Sequence, residues 1–229
     1  CFNEQVLFFC KDYEVITIDL PGFGKSKTIP HVSIQDMATG VMDVLNKRGI
    51  QKVYLFGHSM GGYVALAFAR LFPQNLKGIG LIHSTPIADS EERKSKRRQV
   101  ISFLEKYKLE QYLDNFIPPL FKEDHAANFS ARFIEEGKKG PKEGVIEAAK
   151  AMMNRDDNTD LLAKLDVPFF WGIGKYDQII PENDLFTFSI QCKYPYIAYL
   201  KNSAHMGMVE ESDFLNKHIL RFIKLLGNN

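Results

Sequence analysis

Gly57-His58-Ser59-Met60-Gly61-Gly62 decides the reading of this chain. It stands between the apolar run Lys52-Val53-Tyr54-Leu55-Phe56 and the alanine-rich stretch Tyr63-Val64-Ala65-Leu66-Ala67-Phe68-Ala69-Arg70. A β-branched and aromatic run, a glycine-bounded serine and a series of helix formers predict a strand, a tight turn and a helix. A serine at the apex of such a turn sits in strained backbone with its hydroxyl held clear, which makes Ser59 the candidate nucleophile. Glycines at 57 and 61 are expected because larger side chains there would collide across the turn. His58 is expected to be structural or to line a pocket, since the turn points it away from the serine.

Outward from this turn, the chain alternates strand and helix patterns. Upstream, Phe2, Val6 and Phe9 share one helical face, and Glu14-Val15-Ile16-Thr17-Ile18-Asp19-Leu20 reads as a strand ended by the loop Pro21-Gly22-Phe23-Gly24. That loop continues into Gly24-Lys25-Ser26, but a phosphate-binding loop needs a glycine where Asp19 stands, and its carboxylate would repel a phosphate. Ser33-Ile34-Gln35-Asp36 resembles a capping box, and Ile34, Met37, Ala38, Val41, Met42 and Leu45 follow it at helical spacing up to Gly49. Downstream, Gly78 to Ser84 reads as a buried strand, as do Val167 to Gly174 and Tyr196 to Leu200. Pro181 to Ile190 fits a short helix, and Leu215, Ile219, Phe222, Ile223 and Leu226 form the face of a last one. Continuous apolar strands alternating with helices imply a mostly parallel sheet covered on both faces.

Between 88 and 160 the rhythm changes. Helical spacing recurs in Val100, Ile101, Leu104 and Tyr107, then around 110–116, 126–137 and 143–153, with Pro118-Pro119 and Gly140-Pro141 as breaks and no strand pattern. This predicts a helical cap inserted into a core made of 1–87 and 161–229. The basic run within 91–98 is interleaved with acidic residues and reads as a solvated helix face.

Composition narrows the function classes. The 229 residues carry 29 Lys and Arg against 28 Asp and Glu, so net charge offers no argument for nucleic acid or membrane as a partner. A small, neutral molecule fits better. Cys1, Cys10 and Cys192 are scattered, without metal-ligand spacing, so no metal and no cofactor is expected. With no apolar run long enough to span a membrane and no signal-peptide pattern, a cytoplasmic protein is the default expectation.

A serine hydroxyl needs a base, and the base needs an orienting acid. Asp177, in Gly174-Lys175-Tyr176-Asp177, and His205, in Ala204-His205-Met206-Gly207-Met208-Val209-Glu210, each follow a predicted strand and so fall at the same sheet edge as Ser59. Asp89, after an earlier strand, is the alternative acid. His83 and His218 read as core histidines, and His31 and His125 as loop or surface residues.

The order Ser59, Asp177, His205, with Asp19-Leu20-Pro21-Gly22-Phe23-Gly24-Lys25-Ser26 and the three motifs above, resembles the α/β-hydrolase family over nearly the whole chain. The likeness is broadest to capped carboxylesterases and enol-lactonases. It implies an α/β-hydrolase fold and a Ser-His-Asp serine hydrolase acting on a small ester or lactone. The Met60 backbone N–H would serve as oxyanion donor. Phe23, Phe103, Leu120, Phe121, Trp171 and Met208, with His58, are candidate pocket walls. The family's second oxyanion donor comes from a His-Gly-type loop that is expected upstream of Phe2, so the chain reads as N-terminally incomplete. One such donor is worth roughly 100- to 1000-fold in rate. Cleavage of carbon–carbon bonds in diketones is the enzymatic alternative, and a non-catalytic ligand-binding protein on the same fold the other.

Overall fold

The computed structural model describes residues 2–226. Its first helix, α1 (Asn3–Phe9), buries Gln5 and Phe9 and leaves Leu7 in solvent. The capping box at Ser33 forms as its sequence predicts: the Ser33 hydroxyl accepts from the Asp36 amide at 3.0 Å, and Asp36 accepts from the Ser33 amide at 2.9 Å. A cap of this kind stabilises a helix start by about 1 kcal/mol. It opens α2 (Ile34–Lys47), whose Ile34, Met37, Ala38, Val41 and Leu45 face inward.

Four strands form on the predicted apolar runs: β1 (Val53–His58), β2 (Leu76–Ile82), β3 (Phe169–Gly174) and β4 (Pro195–Leu200). They lie side by side in chain order, and every adjacent pair is parallel. A common strand direction puts all four carboxyl ends on one edge, which is the physical reason that residues distant in sequence can meet there. Alternation along β3 divides the core. Phe169, Trp171 and Ile173 face α2 and the central helix α3 (Met60–Leu71), while Phe170 faces the layer that holds Phe9, Ile219 and Phe222.

One predicted strand is corrected. Residues 14–20 are not part of the sheet: β1 pairs with β2, and among the described residues no strand forms a ladder with 14–20. The segment keeps a strand's alternation, with Ile16, Ile18 and Leu20 turned onto the core and Val15, Thr17 and Asp19 outward. Side-chain pattern alone brings it to the core; inter-strand hydrogen bonds, which a ladder requires, are not made.

Helices fill the interval between β2 and β3: α4 (Glu91–Lys106), α5 (Leu109–Phe116), a 3-10 turn at Pro118–Leu120, α6 (Glu123–Lys138), α7 (Lys142–Met153) and the short α8 (Leu161–Lys164). Leu104, Leu109 and Leu113 give them a small core of their own. The two ends of the interval are tied together, since Asn158 N donates to Pro86 O and the Ala88 amide to Asp157. Beneath this neck the buried Asp89 carboxylate accepts from Arg97 and Arg155, and the Arg155 guanidinium lies 3.9 Å from the Tyr63 ring centroid. After β3 and β4 come α9 (Glu182–Ser189), α10 (Gly207–Glu210) and α11 (Ser212–Leu226). No helix among the described residues is long and apolar enough to cross a membrane.

Candidate active site

Ser59 stands between the end of β1 and the start of α3 with φ 50° and ψ −117°, a conformation that L-residues adopt only under constraint. Three bonds supply the constraint. The Ser59 amide donates to Ile82 O at 3.1 Å, and its carbonyl accepts from Gly62 N at 2.9 Å and from the Ser84 hydroxyl at 2.8 Å. The glycines have separate reasons. A Cβ on Gly57 would strike the Gly61 carbonyl, and one on Gly62 would strike the Ser84 side chain that holds Ser59. The expectation for Gly61 is corrected: a Cβ there would meet open space, because Gly61 contributes its backbone to the tight contact with Gly57 and its own α-carbon faces away.

The serine hydroxyl lies 2.9 Å from His205 Nε2, and His205 Nδ1 lies 2.8 Å from Asp177 Oδ2. The three residues that the sequence placed at one sheet edge are thus brought into a single line of hydrogen bonds. His205 is pinned through its backbone on both sides. Its amide donates to Leu120 O at 2.9 Å, and its carbonyl accepts from His58 Nε2 at 2.8 Å. A carbonyl can only accept, so the His58 proton is on Nε2.

Asp177 has four donors. Oδ1 accepts from the amides of Ile179 and Ile180 at 2.9 and 3.0 Å, and Oδ2 faces both His205 Nδ1 and His83 Nδ1, the latter at 3.2 Å. Burial alone would raise the carboxyl's pKa; the bonds and charge of His205 and His83 outweigh it and hold the group far below the ordinary carboxylate range. Asp177 is therefore an anion near pH 7. His58 shows the opposite balance: burial pushes its imidazole well below 6.5, and the neighbouring His205 and His83 add to the effect. It is neutral near pH 7.

A second buried carboxylate braces the base loop. Glu210 Oε2 accepts from Ala204 N at 2.9 Å, while Oε1 accepts from Lys122 N at 2.7 Å and faces His125 Nδ1 at 3.1 Å. Glu210 thus ties the residue before His205 to the start of α6. Glu210 closes the motif that begins at Ala204, but nothing in the local sequence pattern gives it or His83 a partner. His83 was legible only as the last position of an apolar run, which is where core histidines also occur.

The other predicted site residues separate. The Met60 amide opens α3, where a first-turn N–H has no intrahelical acceptor. Asp89, the alternative acid, is committed to Arg97 and Arg155 and touches no imidazole. Trp171 and Met208 are corrected as pocket walls. Both are fully buried, Trp171 stacked on Phe169 inside the sheet and Met208 in the layer with Phe9 and Leu215, so neither has surface to offer a ligand. Leu120 and Phe121 sit beside the base loop, nearly buried, Phe121 against Phe129 and Phe133. Phe103 is half-buried near Tyr107, and Phe23 is exposed on the 21–26 loop, whose Gly22 touches Gly144 at the start of α7. His218 pairs with the Tyr196 hydroxyl at 3.0 Å and His31 is exposed, but His125 is a helix residue held by Glu210 and not a free surface group.

Comparison with known proteins agrees with this fold. A thermophilic esterase from Thermogutta terrifontis, solved with malate bound, superposes with a TM-score of 0.91 at 30% identity, covering 98% of this chain and 85% of that one. The dihydrolipoyllysine-residue acetyltransferase component of the acetoin cleaving system of Pseudomonas putida is 27% identical over 97% of this chain, which spans only 59% of that protein's length. The 3-oxoadipate enol-lactonase 1 of Acinetobacter baylyi is 22% identical over 97% of this chain and 83% of its own. Residues 3–188 match the alpha/beta hydrolase fold family, and this chain belongs to it.

Proposed function

We propose that this chain is a serine hydrolase that cleaves a small carboxylic ester or lactone through an acyl-enzyme. One observation carries the reading: the unbroken line from Ser59 Oγ through His205 to the anionic Asp177, built on the carboxyl ends of three strands. His205 Nε2 takes the hydroxyl proton as Ser59 Oγ bonds to the ester carbon, and Asp177 keeps Nδ1 protonated and stabilises the imidazolium that forms. The Met60 amide donates to the resulting oxyanion. Collapse expels the alcohol, which takes the proton from His205. Water then enters by the reverse sequence, its proton going to His205 and its oxygen to the acyl carbon; the bond to Ser59 Oγ breaks, Ser59 Oγ takes the proton back from His205, and the acid leaves. In a lactone the alcohol stays tethered to the same product.

Residues 88–160 act as a cap over this edge, with Phe103, Leu120 and Phe121 as its contribution to the pocket and Phe23 as that of the core. The names of the relatives support an ester or enol-lactone as the class of substrate. A panel of short acyl esters and lactones, run beside labelling with a fluorophosphonate, tests the reading. Wild type is expected to turn over an ester and to be labelled, and Ser59→Ala to lose both, with turnover down by about 10⁴-fold or more. Ester turnover that survives Ser59→Ala rejects the mechanism.

A further inference from the structure

His83 is more expensive to accommodate than a core histidine needs to be. It follows β2 directly with φ 49°, in the left-handed region that few non-glycine residues take, and its ring is fully buried. Two glycines make room for that ring: a Cβ on Gly174 would lie 2.7 Å from His83 Cε1, and one on Gly207 would strike Nε2. Backbone strain of this kind persists where the surroundings over-determine it. The ring has two partners. Gly207 N donates to Nε2 at 3.1 Å, and Nδ1 lies 3.2 Å from Asp177 Oδ2, the oxygen that also serves His205.

These bonds settle the tautomer. An amide can only donate, so Nε2 carries no proton, and the proton of the neutral ring must be on Nδ1, aimed at Asp177. We infer that His83 is a positioning residue of the proposed hydrolase: a neutral Nδ1–H donor that fixes Asp177 Oδ2 and shares its charge with His205. The inference rests on the Ser59–His205–Asp177 reading above. His83, Asp177 and His205 lie close enough to be read as ligands of a metal ion. The tautomer argues otherwise, because a protonated Nδ1 has no lone pair for a metal.

The charged and titratable groups around His83 are Asp177, His205, His58 with its ring centroid at 6.0 Å, and the more distant Glu210. Burial pushes the pKa of His83 down and the Asp177 bond only partly restores it, which favours the neutral ring. With His83 gone, the undivided charge of Asp177 falls to His205 and favours its imidazolium. The acid limb of kcat/KM should then move to higher pH, and kcat should fall as Asp177 loses a tether. Asn tolerates positive φ and offers an amide N–H near the place of Nδ1, so His83→Asn should recover most of both.

The test has two parts. In wild-type protein carrying ¹⁵N-histidine, NMR near neutral pH should show His83 as a neutral ring with its proton on Nδ1. A proton on Nε2, or an imidazolium at that pH, overturns the inference without any variant having to fold. Against wild type, His83→Ala should lower kcat by about 10- to 100-fold, the scale for removing a group that orients a functional imidazole. Its acid limb should rise by roughly 0.5–1 unit, and His83→Asn should lie between. A loss of kcat with the limb unmoved or lowered means a merely structural role and overturns the inference, as does an unchanged kcat. If wild type is neither active on esters nor labelled by fluorophosphonate, the hydrolase reading is what has failed, and the NMR result still reports on His83 separately.

Discussion

Asp177 and Asp89 are two buried aspartates that follow strands of the same sheet, and both are held as anions. Burial works against each, and in each case hydrogen-bonded partners outweigh it. The difference is in the partners. Asp89 is held by the guanidiniums of Arg97 and Arg155, which keep their charge at every accessible pH. Asp177 is held by the imidazoles of His205 and His83 and by two backbone amides. A guanidinium locks a carboxylate into structure; an imidazole can take and return a proton beside it. The same side chain is therefore a fastener at the neck of the helical interval and, in the proposed mechanism, the orienting acid at the sheet edge.

The sharpest way to break this contrast is to neutralise each aspartate in turn. Asp177→Asn would set an amide N–H against one of two imidazole donors and release His205 from its tautomer. Ester kcat is expected to fall by about 10³- to 10⁴-fold, while urea unfolding moves comparatively little. Asp89→Asn should do the reverse. It leaves two cationic side chains without their anion at a buried neck, and breaking such a pair costs about 3–5 kcal/mol. The urea midpoint should drop accordingly, with kcat of the folded fraction within about tenfold of wild type. Similar losses of kcat from both variants would end the distinction.

A smaller effect concerns pH. His58 and His83 are held neutral in the fold, their pKa values lowered by burial, whereas in the unfolded chain each returns to about 6.5. Below that value the unfolded state binds protons that the native state refuses, so their contribution to stability is present above it and is lost as pH falls. The urea midpoint should therefore be higher at about pH 7 than at about pH 5. The two aspartates should not contribute over that interval, since their depressed values place their loss at still lower pH. An unchanged midpoint would mean that the imidazoles are not kept neutral.

Local chemistry accounts for most of what could be read from the chain. The Ser33 capping box involves four consecutive residues, and β1 to β4 arise from runs of side chains whose own preferences name the element. The Gly57–Gly62 turn is also a local object, although the sequence could not show that Gly62, and not Gly61, is the glycine crowded by Ser84. Residues 14–20 mark the limit of such reading. Their alternation matches a strand, yet strand formation is a property of two segments, and alternation says nothing about whether a neighbour is there to bond.

The sequence by itself determined the alternation of strand and helix, the placement of Ser59, Asp177 and His205 beyond strand ends, and the helical character of 91–153. Each depends on side-chain periodicity or on the identity of adjacent residues. Only the tertiary structure decided which carboxylate meets His205, that Trp171 and Met208 belong to the core, and that His83 meets Asp177 and Glu210 the Ala204 amide. Those outcomes depend on contacts between residues dozens of positions apart. The energy of such a contact is set by the burial, distance and tautomer of both partners together, and no single stretch of chain contains that information.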